Sequence, residues 1–386
     1  MLKCSRELFS LEENVHYLNN AYMSPNLKSV EMAGIIGVKA KSQPYRMKGE
    51  QFFQPLQNLK RSFAKLIACN DPQHIAITPS ASYGLATIAK NLTIGSKKNI
   101  VIPGGQFPSN YYVWERLAKE HDLEIRLINP PTEYDNRAEN WNYALLNAID
   151  EDTLVIACGH VHWTDGTLFD LKALRQKCWD VSAYFIIDGS QSIGALPFDV
   201  NEFQPDALVC VGYKWLFGPY SIGFAYFSER FLYGTPIEEN WTTRMGSDDF
   251  KNLVNYQSDY RPGASRFSMG GSANFINVPM MQTALDQILA WSVKDLQQYS
   301  VNLISDYISA FEAKGCFIEK PTGRCNHILG VKLPNGIDSK VLHKNLKNKQ
   351  IFVSLRGDTV RLATSIYNSR RDMDAFLSVL HRAEIA

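Results

Sequence analysis

Ile186-Ile187-Asp188-Gly189-Ser190-Gln191-Ser192-Ile193-Gly194 and, further on, Gly212-Tyr213-Lys214-Trp215-Leu216-Phe217-Gly218-Pro219 decide how this chain is read. The first stretch is an apolar run that ends in an acid, with a glutamine three residues beyond it. The second follows another apolar run, Ala207-Leu208-Val209-Cys210-Val211, and presents a lysine. Such runs are apolar without alternation, as strands buried on both faces of a parallel sheet are. The candidate strands are Ile75–Thr78, Asn99–Ile102, Leu123–Leu127, Thr153–Cys158, Tyr184–Ile187, Ala207–Val211 and Ile222–Tyr226. Helical patterns alternate with them at Gln51–Cys69, Ala81–Asn91, Asn110–His121 and Leu171–Val181. Gln51–Cys69 sets Phe52, Leu56, Leu59, Phe63 and Leu66 at three- and four-residue spacing. Strands alternating with helices predict an α/β fold with a mostly parallel seven-stranded sheet. A long, bent helical stretch over 275–313 leads to short strands near Ile328–Leu333, Phe352–Ser354 and Val360–Ala363, with helices at Ser339–Lys347 and Arg371–Arg382. The expected division is a large unit over 17–281 and a smaller α+β unit formed by 1–16 and 282–386.

The composition is that of an ordinary globular chain: 386 residues, 45% hydrophobic and 20% charged, with net charge +1. No basic excess points to nucleic acid. No apolar run approaches membrane-spanning length, and the N-terminal Met1-Leu2-Lys3-Cys4-Ser5-Arg6-Glu7 lacks the apolar core of a signal peptide. A cytoplasmic chain is expected. Seven scattered cysteines with no Cys-x-x-Cys pair read as reduced thiols. His160 and His162 stand two apart, which is not a metal-ligand spacing, and no metal is expected.

An acid and a lysine at the ends of neighbouring strands are what pyridoxal 5'-phosphate chemistry needs. The amine forms a Schiff base with the cofactor aldehyde, and the carboxylate keeps the pyridine nitrogen protonated. From Tyr17-Leu18-Asn19-Asn20 to Arg361-Leu362 the chain resembles the class V branch of fold-type I pyridoxal-phosphate enzymes, which includes cysteine desulfurases, kynureninases, class V aminotransferases and isopenicillin N epimerase-like proteins. The resemblance implies that Lys214 is the Schiff-base lysine, Asp188 the pyridinium partner and Gln191 the donor to the ring's phenolic oxygen.

In open α/β sheets ligands lie beyond the carboxyl ends of the strands, so the loops there carry the remaining candidates. Pro79-Ser80-Ala81-Ser82-Tyr83-Gly84 opens a helix whose N-terminus favours an anion; the resemblance makes Ala81 and Ser82 phosphate ligands. In Gly104-Gly105-Gln106-Phe107-Pro108-Ser109-Asn110, Phe107 resembles the kynureninase-type aromatic residue over the cofactor, where desulfurases carry histidine. The competing reading is a core phenylalanine. Tyr213 stands where kynureninase-like members place a tyrosine on the phosphate. In Gly159-His160-Val161-His162-Trp163-Thr164-Asp165, Trp163 replaces an asparagine of the desulfurases; Trp163 or His162 lines the substrate pocket, or the segment is an ordinary capping loop. Ser272, in Arg266–Phe275, matches a segment that reaches the partner subunit's phosphate, which implies a homodimer with shared sites; the rival reading is an N-cap. In Val353–Ala363, Arg361 matches the arginine that clamps the substrate carboxylate. Arg356 either assists or is a surface charge.

Only Gly-Asp-Thr-Val separates Arg356 from Arg361, so the nucleophilic cysteine that desulfurases carry near this strand is absent. Persulfide chemistry needs that thiolate. The expectation is an aminotransferase-like enzyme acting on a small amino acid. A lyase, an epimerase or a kynureninase-like hydrolase is the alternative. From a different class, the alternative is a non-catalytic module that binds the cofactor.

Overall fold

The computed structural model describes residues 2–383. Seven strands form the main sheet in the spatial order Ile75–Thr78, Gly223–Phe227, Ala207–Val211, Tyr184–Asp188, Thr153–Gly159, Asn99–Pro103, Glu124–Ile128. Gly223–Phe227 runs antiparallel to both neighbours, and the other pairings are parallel. Ala207–Val211 and Thr153–Gly159 are buried at every residue, because helices cover both faces. The edge strand Glu124–Ile128 is partly exposed and carries two charges, Glu124 and Arg126. The predicted strands match these bounds to within a residue or two.

Two clusters of buried side chains sandwich the sheet. One contains Phe63, Phe185, Phe217 and Phe224 beneath helix Gln54–Leu66, whose Phe63 stacks on Phe224 at 4.1 Å. The other contains Leu85, Trp114, Ile186 and Val209 beneath helices Ala81–Lys90 and Ser109–His121. A third core, with Phe311, Leu329, Leu362 and Phe376, lies under an antiparallel sheet in the order Ser354–Arg356, Thr359–Ala363, Ile328–Lys332.

Three sequence expectations are corrected. The helical stretch over 275–313 is three helices, Asn277–Trp291, Val293–Ser305 and Ile308–Ala313. Ser292 interrupts it at φ +69°, and its hydroxyl caps the second helix by accepting from the amide of Asp295. Phe352–Ser354 is not one strand: Ile351–Phe352 pairs in parallel with His16–Tyr17, whereas Ser354–Arg356 turns at Gly357 into the strand carrying Arg361. Helices Lys28–Lys41 and Arg137–Asn147 were not anticipated. Lys28–Lys41 bears apolar residues on both faces, burying Val30 but exposing Met32, Ile35, Ile36 and Val38, so it shows no single apolar stripe. Among the described residues no helix is long and apolar enough to cross a membrane.

Candidate active site

The carboxyl ends of the parallel strands surround a cavity of about 280 Å³. Its walls include Ala81, Ser82, Phe107, Trp163, Asp188, Gln191, Tyr213 and Lys214, so one space gathers residues that lie far apart in the chain. Asp188 ends its strand, and its Oδ1 accepts from the amide of Ser190 at 2.9 Å, which fixes the carboxylate at the mouth of the turn. Lys214 follows the adjacent strand and is buried. Its Nζ lies 5.2 Å from the ring centre of Phe107 and 5.8 Å from that of Tyr213. Burial pulls the Lys214 amine down to about 8; Asp188 opposes this, and the charges of Arg361 and Arg356 add to it. A buried amine that releases its proton this easily is an activated nucleophile.

Part of the wall is the start of helix Ala81–Lys90. Ser80 caps it, accepting from the amide of Tyr83 at 3.1 Å. The amides of Ala81 and Ser82 have no intrahelical acceptor and present the positive end of the helix to the cavity. Two further wall residues, Gln106 and Ser190, have buried polar atoms, Nε2 and Oγ, with no hydrogen-bond partner. Unpaired donors at a helix N-terminus, in one cavity with a buried lysine and a carboxylate, fit a phosphorylated, ring-nitrogen-containing aldehyde. Gln191 is held from both ends: its Nε2 donates to the carbonyl of Ala21 at 3.0 Å, and its Oε1 accepts from the indole of Trp215 at 2.9 Å. One amide hydrogen remains for a ligand. Tyr213 stacks obliquely on Tyr220 at 4.4 Å, and burial with Tyr220 beside it pushes its hydroxyl up to about 12.

Trp163 joins three parts of the site. Its indole donates to the carbonyl of Gly105 at 2.7 Å and meets Phe107 edge-on at 5.5 Å. Its carbonyl accepts from Arg361 Nη1 at 2.7 Å. Arg361 is fully buried behind it, donating also to Asn19 Oδ1 and Ser354 Oγ. Arg356 lies over the indole, 4.7 Å from its centre. The two arginines are therefore next to the cavity rather than in its wall. His162 does not line the cavity; it meets the carbonyl of Gly104 at 3.2 Å and Thr164 at 2.7 Å, bracing the same loop. His160 packs on the other side against Phe198 and Phe203. Ser272 is 1% exposed and does not line the cavity of its own chain.

Sequence reasoning missed the bracing set: Arg137 holds Asp165 at 3.0 Å and Thr167 at 3.0 Å, and His327 meets the carbonyl of Gln191 at 2.7 Å. Their signal was absent because each acts across the fold on a partner distant in sequence. No cysteine lies among the residues lining the cavity.

Comparison with known proteins accords with this geometry. The chain is 26% identical to the uncharacterized aminotransferase YcbU of Bacillus subtilis, over 81% of this chain and 80% of that one. It is 25% identical to a kynureninase of Burkholderia mallei, over 84% and 78%. The fold matches that of the cystine C-S lyase C-DES in complex with its product cysteine persulfide, with a TM-score of 0.85 at 16% identity, covering 96% of this chain and 98% of that one. It also matches the cysteine desulfurase CsdA of Escherichia coli, at 0.79 and 17%, covering 98% and 96%. The model of the family described as aminotransferase class-V covers residues 39–379, and the chain belongs to that family of pyridoxal-phosphate-dependent enzymes.

Proposed function

We propose that this chain is an aminotransferase-like enzyme that binds pyridoxal 5'-phosphate and acts on a small amino acid. The observation that carries the reading is one cavity lined by the buried Lys214 amine, the Asp188 carboxylate and the N-terminus of helix Ala81–Lys90. The bound cofactor would supply an electron sink for chemistry at the amino acid's Cα. Lys214 would hold it covalently, and Asp188 would keep its ring nitrogen protonated. The amides of Ala81 and Ser82, with Gln106, Ser190 and Tyr213, would take its phosphate; Phe107 would pack on its ring, and Gln191 would use its remaining hydrogen on the ring oxygen. Arg361 orients the substrate carboxylate through charge and a planar fork. Lys214 would be the base placed to take up and return the Cα proton.

The absence of a cavity cysteine supports a reaction other than desulfuration. Phe107 and Tyr213 in the wall, together with the kynureninase relatives, favour kynureninase-like hydrolysis as the second reading. A homodimer belongs to the proposal, supported by the exposed Met32, Ile35, Ile36 and Val38 on one helix. Ser272 would then act towards the partner's site. Seven unpaired cysteines support a reducing, cytoplasmic setting. The division into 17–281 and 1–16 with 282–386 is proposed too, supported by the separate core beneath the three-stranded sheet.

The test is borohydride treatment of protein incubated with the cofactor, followed by peptide mass mapping and a substrate panel. A fixed adduct on Lys214 and amino-group exchange with a keto acid are expected. An adduct with hydrolysis of kynurenine and no exchange would favour the second reading. No adduct in folded protein would sink both, and an adduct with no turnover of any amine would leave a binding module.

A further inference from the structure

Arg356 and Arg361 lie on one face of a two-stranded hairpin. Arg361 pairs with Ser354, and Arg356 follows Ser354 by two residues, so both side chains project to the same side as diagonal neighbours. Both guanidinium groups stand against the indole of Trp163, at 4.7 Å for Arg356 and 6.0 Å for Arg361. Like charges this close, partly withdrawn from water, need a counter-charge.

Among the described residues none supplies it. No carboxylate lies within 4.0 Å of either arginine. Asp358, which lies between the two arginines in sequence, pairs with Lys332, and Asp165, two residues beyond Trp163, pairs with Arg137. Arg356 donates only to the carbonyl of its neighbour Leu355, at 2.7 Å, and its buried Nε has no partner. Arg361 spends both terminal nitrogens on neutral oxygens, and its buried Nε is also unpaired. Burial lowers both guanidinium groups, the charge of Arg356 adds to the effect at Arg361, and only the Tyr17 hydroxyl opposes it there; no carboxylate raises either. Two buried, unpaired donors on two uncompensated cations beside the cavity are groups awaiting an anion.

We propose that the substrate carries two acid groups: an α-carboxylate taken by Arg361 and a second acid group on its side chain taken by Arg356, across the indole of Trp163. This rests on the reading of the cavity as an amino-acid site and gives its substrate class, an acidic amino acid. A neutral amino acid would leave Arg356 without a counter-ion, and the site would discriminate against it by that unpaired charge.

The test compares succinate with butyrate, which differ by one carboxylate, in calorimetric titrations of holoenzyme fixed by borohydride, which cannot turn over. Succinate is expected to bind about tenfold or more tightly than butyrate, the worth of one charge-assisted contact. Arg356→Gln should abolish the difference, Arg356→Lys should retain part of it, and Arg361→Gln should weaken both ligands. Equal binding by the unaltered protein, or a preference that survives Arg356→Gln, would overturn the proposal. If Arg356→Gln instead loosened the assembly in sedimentation velocity and left the preference intact, Arg356 would face a second copy of the chain and the proposal would fail. If borohydride fixes nothing on Lys214, the cofactor reading fails separately. The same titrations on the unmodified protein then decide the arginine pair alone.

Discussion

The indole of Trp163 donates to the carbonyl of Gly105 at 2.7 Å, and this bond ties the loop carrying Phe107 to the loop that Arg361 grips. Phe107 is 38% exposed; its ring meets Trp163 edge-on at 5.5 Å and stands with its centre 5.2 Å from Lys214 Nζ.

Trp163→Phe should keep the aromatic wall and lose only that bond. The expected cost is about 1 kcal/mol of stability, read by urea unfolding, together with faster amide exchange over residues 104–107. Exchange unchanged there would mean the loop is held by His162 alone.

The reaction of cofactor-free protein with pyridoxal 5'-phosphate should quicken as pH rises through about 8, where buried Lys214 loses its proton. Asp188 holds that value up while Arg356 and Arg361 hold it down. Asp188→Asn should therefore move the midpoint lower, and Arg356→Gln should move it higher. Stopped-flow absorbance across pH 6–10 measures both; a common midpoint in all three proteins would show that burial alone sets it.

Asp188→Asn should also leave folding and cofactor binding intact while lowering turnover by about a hundredfold or more, since an amide cannot keep a ring nitrogen protonated. Steady-state kinetics with any accepted amino acid decides this, and near-normal turnover would refute the role.

Gly166 stands at φ +84°, and a Cβ there would meet the carbonyl of Ile328 at 2.3 Å. Gly166→Ala should destabilise the protein by roughly 2 kcal/mol and displace Trp163, three residues away. Urea midpoints give the first effect and intrinsic tryptophan fluorescence the second. Unchanged values would mean the loop reshapes freely.

His160 and His327 are buried and neutral, pulled by burial to about 3 and about 4. Both lie below their unfolded value of about 6.5. Below pH 6.5 the unfolded chain takes up protons that the native state refuses. Stability should thus be flat in this respect above 6.5 and fall as pH drops towards 4, by about 1.4 kcal/mol per unit per histidine. Denaturant midpoints at pH 7, 6 and 5 check the slope.

The sequence alone determined the strands, because an unbroken apolar run such as Leu154-Val155-Ile156-Ala157-Cys158 has no stable place except inside a covered sheet. It also brought Asp188, Lys214, Ala81 and Phe107 to one place, since each follows a strand and parallel strands end on the same side. Tertiary structure decided the rest. Ser292 breaks a helix whose flanking pattern is continuous, through a local backbone conformation that periodicity does not encode. In sequence Arg361 resembles a carboxylate clamp and Arg356 either its assistant or a surface charge; only hairpin register sets them side by side, and only the surrounding fold shows that no carboxylate among the described residues meets them. Trp163 reads as a missing asparagine, yet its indole bridges two loops fifty or more residues apart, a contact that exists only once the sheet has brought their strands together.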